Sequence, residues 1–168
     1  ETMQEEIKAL EDMNSELEKM DTRGFMKEVS EIRANLHDTG ALDSLRGMLD
    51  ELRAKTDAAV ERRNSIKDKV KRWKEEGFIV SAVESILDGD LEVLEEGVME
   101  FEEKISRLYD FQERLSAITG DAYKKKVADI SKKVNNPKMV DAVEKALAEL
   151  EVAVEADRQA RQDIVDLI

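Results

Sequence analysis

The stretch LDSLRGMLDELRAKTDAAVERRNSIKDKVKRW, residues 42–73, decides the fold. Counted from Leu42, its apolar side chains fall at Leu45, Leu49, Leu52, Ala59, Ile66, Val70 and Trp73, in steps of three and four, with Thr56 and Arg63 in the two remaining slots. Such steps return to one face of a helix that turns every 3.6 residues or so, which predicts a single unbroken helix with one apolar seam. More than four heptads in a row are long enough for coiled-coil-like pairing, and at about 1.5 Å per residue the helix is roughly 45–50 Å long.

The same pattern reopens on either side of this stretch. Leu42, Leu91 and Val140 each begin a leucine-rich run and stand 49 residues apart, which is seven heptads. In that frame a polar residue falls on the seam each time, as Asn14, Arg63, Gln112 and Arg161. The third run uses Leu91, Leu94, Val98, Phe101, Ile105, Leu108 and Leu115, and the last uses Val140, Val143, Leu147, Leu150, Val154, Asp157, Ile164 and Ile168. The first run, Met3, Ile7, Leu10, Leu17 and Met20, begins inside its own pattern. Any two heptad runs superpose after a shift of seven, but glycine breaks between unrelated runs would reset the phase. Here Arg63 to Leu91 and Gln112 to Val140 are both 28 residues, although Gly77 and Gly120 divide that distance differently. Duplication is the simpler account.

Between the long runs the sequence predicts short helices carried by Phe25, Val29, Ile32 and Leu36, by Val80, Val83, Ile86 and Leu87, and by Tyr123, Val127, Ile130 and Val134. Gly24, Gly77 and Gly120 are placed as helix stops, since a residue without a Cβ accepts the left-handed conformation that ends helices. Asp90 and Asn136 are expected caps, with Pro137 at a first helical position, where its missing amide hydrogen is no loss. The expected organisation is a partial unit at 1–40, units at 41–89 and 90–137, and a partial unit at 138–168. Both outer units break off in mid-pattern, so the expectation is a piece of a longer array. The expected fold class is all-α, an elongated helical-repeat or coiled-coil-like bundle of alternating long and short helices.

Composition points the same way. Charged residues make up 40% and aromatics 4%, with one proline, which suits long helices and leaves little bulky material for a thick globular core. The formal charge of −13 repels phosphate-rich partners, so neither nucleic acid nor an anionic membrane is expected to bind. The basic runs at Lys67–Arg72 and Lys124–Lys126 are better read as solvated helix faces. No apolar stretch approaches the roughly 20 residues that cross a bilayer. Zero cysteines removes disulfides, thiolate metal sites and thiol catalysis together and suits a reducing cytoplasm.

No reaction centre is legible. His37 is the only histidine, which excludes His-pair metal sites and His-based triads, and it lies in an expected turn beside Asp38. Adjacent acids such as Glu75-Glu76, Glu95-Glu96 and Glu102-Glu103 point in different directions on a helix and read as surface charge. Asp88-Gly89-Asp90 lacks the spaced ligands and closing Glu of a calcium loop and reads as a capped turn. No glycine-rich phosphate cradle occurs, and no catalytic residue, metal or cofactor is expected.

The candidate residues are therefore ones of interaction. Trp73 and Phe78 are aromatic side chains that could anchor a protein partner, the alternative for Trp73 being to pack the joint between units. Asn14, Arg63, Gln112 and Arg161 are polar residues on an apolar seam, where they weaken packing but penalise wrong alignments more than the right one. If buried, Arg63 and Arg161 are expected to need carboxylate partners; otherwise they reach water along their apolar stems. On this reading Arg63→Leu stabilises the fold while loosening its register.

The segment Trp73-Lys-Glu-Glu-Gly77-Phe78-Ile-Val80-Ser-Ala-Val83-Glu-Ser-Ile-Leu87-Asp-Gly-Asp90-Leu91 resembles a helical repeat of acidic, coiled-coil-rich archaeal proteins. That resemblance covers about 20 residues and implies a prokaryotic cytoplasmic spacer or interaction region with no catalytic residues. The expected function is a non-catalytic spacer, scaffold or protein-protein interaction module, self-associating or bound to flanking repeats of a parent protein. The alternative is a sensory or regulatory helical module in which the weak layers at Thr56, Ala59 and Arg63 transmit a conformational signal.

Overall fold

A computed structural model describes residues 2–166, and Ile168, the last seam position, lies outside them. Among the described residues the chain is all-α, with no strand. Seven helices follow in order: α1 (Met3–Lys19), α2 (Met26–Asn35), α3 (Leu42–Glu75), α4 (Ser81–Glu84), α5 (Leu91–Ala117), α6 (Lys124–Ser131) and α7 (Val140–Asp166). The long helices α3, α5 and α7 thus begin at the three residues spaced by 49.

Their entries have local causes. Asp38 accepts a hydrogen bond from the Gly40 N–H at 2.9 Å and opens a 3₁₀ turn, Thr39–Ala41, that feeds α3. Asn136, 98 residues later, accepts from the Lys138 N–H at 3.1 Å and opens the 3₁₀ turn Pro137–Met139 that feeds α7. The two capping residues share nearly the same backbone, with φ/ψ of −101/101 and −108/105. Ahead of α5, Asp90 caps directly, accepting from the Glu92 and Val93 N–H groups at 2.9 and 3.3 Å. At the other end of α3, Gly77 (φ 93) and Phe78 fold back so that their N–H groups bond the carbonyls of Lys74 and Trp73, which satisfies two helix-end acceptors. Gly24 and Gly120 also have positive φ, but α1 stops at Lys19, before Gly24 is reached. The second short helix is a single turn and not the eight-residue segment expected.

The described residues divide into two compact units: residues 2–69 with 87–94, and residues 70–86 with 95–166. In the first unit one apolar cluster joins Leu10, Met13 and Leu17 of α1, Val29 and Ile32 of α2, and Leu42, Leu45, Leu49 and Leu52 of α3. Burying a leucine-sized side chain stabilises by about 1.5–3 kcal/mol, which makes this cluster the main source of cohesion. Ion pairs Arg53–Glu16 and Lys55–Glu28 tie α3 to the end of α1 and the start of α2. The end of α2, at Leu36, lies instead beside Ile7 and Leu10 near the start of α1, so α1 and α3 run one way and α2 returns between them.

The second unit repeats this up-down-up order with α5, α6 and α7. Arg107 bonds Glu144 at 2.7 Å and Arg114 binds Glu151 through two bonds at 2.9 and 2.6 Å, so α5 and α7 ascend together. Tyr123, just before α6, bonds Asp157 far along α7, whereas Asn135, just after α6, is held by Gln112, so α6 descends. Trp73 packs on Phe101, with ring centres 5.3 Å apart, and Phe78 meets Tyr109 edge-on at 5.1 Å. The seam of α7 is buried from Val140 to Leu150 and exposed from Asp157 onward.

Two glycines separate the backbone effects. Gly47 lies inside α3 with open space where a Cβ would project, so Gly47→Ala is expected to raise stability by about 0.5–1 kcal/mol. Gly77→Ala is expected to lower it by about 1 kcal/mol or more, because its φ of 93 strains an L side chain. Chemical denaturation of the two variants checks both signs.

Candidate functional site

Ten of ten seam positions of α3, from Leu42 to Trp73, are buried, Thr56 and Arg63 included. Thr56 satisfies its hydroxyl within the helix by donating to the Arg53 carbonyl at 2.9 Å. Arg63, at 6% exposure, cannot do that, since a guanidinium has donors only. Its Nη1 donates to the carbonyls of Leu87 and Gly89 at 2.8 and 2.9 Å, in the turn between α4 and α5. The carboxylate partner expected for a buried Arg63 is thus replaced by peptide oxygens, which carry partial negative charge at the end of a helical turn without a second ion to desolvate.

The surrounding charges grip the same turn. Arg23 donates to the Asp88 carbonyl at 3.4 Å, and Lys67 lies 3.6 Å from the Asp88 carboxylate. Arg23 is itself oriented by Asp21, through Nε and Nη2 bonds at 2.7 and 2.5 Å. That pairing with Arg23, helped by the more distant charge of Arg63, holds the Asp21 carboxyl down at about 2.

In the second unit Gln112, 49 residues after Arg63, performs the equivalent task on the turn ahead of α7. Its Nε2 donates to the Asn135 Oδ1 at 2.8 Å, while the Asn135 carbonyl accepts from the Ile79 N–H at 3.0 Å. The adjoining Phe78 is buried against Tyr109, whose hydroxyl bonds Glu76; partial burial first, and that carboxylate second, push the phenol up to about 12.

Asn14 is half-buried, bonds Glu18 at 3.4 Å, and lines a cleft with Leu36, His37 and Thr39, the turn ahead of α3. Arg161 is exposed and lines a cleft with residues 119–123. Three of the four polar seam residues therefore face the turn that precedes a long helix. Trp73 and Phe78 are buried, at 7% and 4%, and spend their aromatic faces on Phe101 and Tyr109.

Met13 and Phe111 are core residues that the heptad frame misses, because it gives their slots to the neighbours Asn14 and Gln112. A helix packed against two neighbours buries a face wider than a two-position seam, and the flanking slot just before Asn14 and Gln112 is covered as well. Asn135 and Arg23 had no periodic signal and are found only through their contacts. Among the described residues no group of three His, Cys, Asp or Glu side chains is arranged to hold a metal ion, and no helix is long and apolar enough to cross a membrane. Comparison with protein families, with curated proteins and with solved structures gives no match to this chain.

Asp21 ionises more easily folded than unfolded, so its contribution is present above its ordinary value of 3.8 and is lost as the pH falls through about 2. Asp21→Asn is expected to lower the melting temperature at neutral pH. The gap from the native chain should close between pH 4 and pH 2, as melts across that range will show.

Proposed function

We propose that this chain is a non-catalytic spacer or scaffold in which helical units follow one another in series and present protein-binding surfaces along their length. The observation that carries the reading is the shared task of Arg63 and Gln112, which stand 49 residues apart and each hold the turn leading into the next long helix. A long leucine seam alone permits slips by whole heptads, and a polar residue that finds its partners in one alignment only removes that freedom. The starts of α3, α5 and α7 at the same spacing, and the matched caps Asp38 and Asn136, fit units of common origin.

Buried side chains are spent on packing and on holding turns, which suits mechanical continuity. A net charge of −13 favours protein partners over nucleic acid or anionic lipid. The absence of cysteine accords with a reducing, cytoplasmic setting, as does the likeness of residues 73–91 to archaeal acidic helical repeats.

Replacement of the polar seam residues tests this reading. Arg63→Leu strands two carbonyls and is expected to destabilise by about 1–3 kcal/mol, opposite in sign to the expectation from the heptad pattern alone. Gln112→Leu is expected to cost about 1 kcal/mol, and Arg161→Leu, at an exposed position, to stay within about 0.5 kcal/mol of the native chain. Melts in which Arg63→Leu is neutral or stabilising would contradict the proposal.

A further inference from the structure

The cleft at the far end of α7, about 370 Å³ in volume, is lined by the turn 119–123 and by side chains from Val154 to Val165. Its lining has a counterpart in the first unit. The turn Leu87–Gly89 is held there by three side chains, Arg23, Arg63 and Lys67. The residues 98 positions later are Asp121, Arg161 and Val165, and all three line this cleft. In the first unit the position is filled by a turn and the start of a helix; at the end of α7 the corresponding side chains, Asp157, Arg161, Ile164 and Val165, are exposed.

We infer that this cleft is a docking site for a protein partner of defined form: a short helix ending in a turn, with free carbonyl oxygens directed at Arg161, that runs on into a helix covering Ile164 and Val165. This rests on the reading of helical units in series. The chemistry of the turn is not that of Leu87–Gly89. There Asp88 is met by two cations, Arg23 and Lys67, whereas here Asp121 and Val165 occupy those places. An acid at the centre of the docking turn would meet Asp121, so a basic or aliphatic residue belongs there. A second copy of this chain fits poorly for the same reason. Its Leu87–Gly89 and Asn135 turns are already held by Arg63 and Gln112, and the remaining one, at Asp38–Gly40, carries an acid.

The test lengthens the full chain with a copy of its own residues 71–117 placed after Ile168, where Val70, 98 residues earlier, is followed by the same segment. One version keeps the Asp88 copy and one carries Lys there; a control has two extra residues before the added segment, which turn it by about 200°. Hydrogen exchange over residues 157–166 is the measurement. Both in-register chains are expected to slow exchange, by about tenfold or more with Lys and by less with Asp, while the control matches the unextended chain. Arg161→Ala is expected to abolish the slowing in the extended chains and to change nothing in the unextended one. Equal protection in register and out of register, or an Arg161→Ala that leaves the extended chains unaffected, overturns the inference. Protection of the unextended chain that rises with its concentration would assign the cleft to a second copy and overturn it equally. Should Arg63→Leu destabilise as expected while Arg161 is silent in the extended chains, the series reading stands and the docking site alone fails.

Discussion

A guanidinium buried on an apolar helix seam needs acceptors for its donors, and at Arg63 the Nη1 group finds two, the Leu87 and Gly89 carbonyls. The arrangement removes two difficulties at once, because those carbonyls lie at the end of a helical turn where the backbone leaves acceptors without intrahelical partners. One Nη1 group thus satisfies two carbonyls of the turn, and those carbonyls satisfy that group. Leaving either side unmade would incur most of the desolvation penalty of a buried polar group. The contact spans 24 to 26 residues of sequence, so it fixes where α5 starts relative to α3. Leucines at Leu42 to Leu52 supply cohesion but little choice of alignment; Arg63 supplies the choice.

The second unit reaches the same end with neutral chemistry. Gln112 and Asn135 exchange one amide hydrogen bond at 2.8 Å, and the Asn135 backbone ties in Ile79. A neutral pair is weaker than a charge-assisted one, and here aromatic packing of Trp73 on Phe101 and of Phe78 on Tyr109 adds cohesion close by. Arg114 adds a paired contact to Glu151, which lowers that carboxyl and raises the arginine. Two chemistries serving one geometric need suggest that the position of the contact, more than its strength, is what the fold requires.

Much of the helical plan was legible because it is periodic. The ten buried seam positions of α3 and the starts at Leu42, Leu91 and Val140 follow from apolar spacing, and Asn136, Asp90 and Gly77 announce themselves by cap chemistry. What periodicity could not give was the partner of each polar seam residue. The Leu87 and Gly89 carbonyls are backbone groups with no sequence signature, so the expected partner of Arg63 was a carboxylate. Met13 and Phe111 escaped because a two-position seam leaves out the flanking slot that a helix packed between two neighbours also buries. Trp73 and Phe78 were read as candidate partner anchors; the burial of Trp73 against Phe101 follows from its place at the end of the seam, and that of Phe78 from the reversal at Gly77.

The most direct measurement is guanidinium proton exchange by nuclear magnetic resonance, residue by residue. Held between two carbonyls and out of water, the Arg63 Nη protons should exchange slowly and give separate signals, while those of exposed Arg161 exchange at the rate of a free side chain. Arg63 protons exchanging as fast as those of Arg161 would mean that the turn is not held, and the account built on that contact would fall.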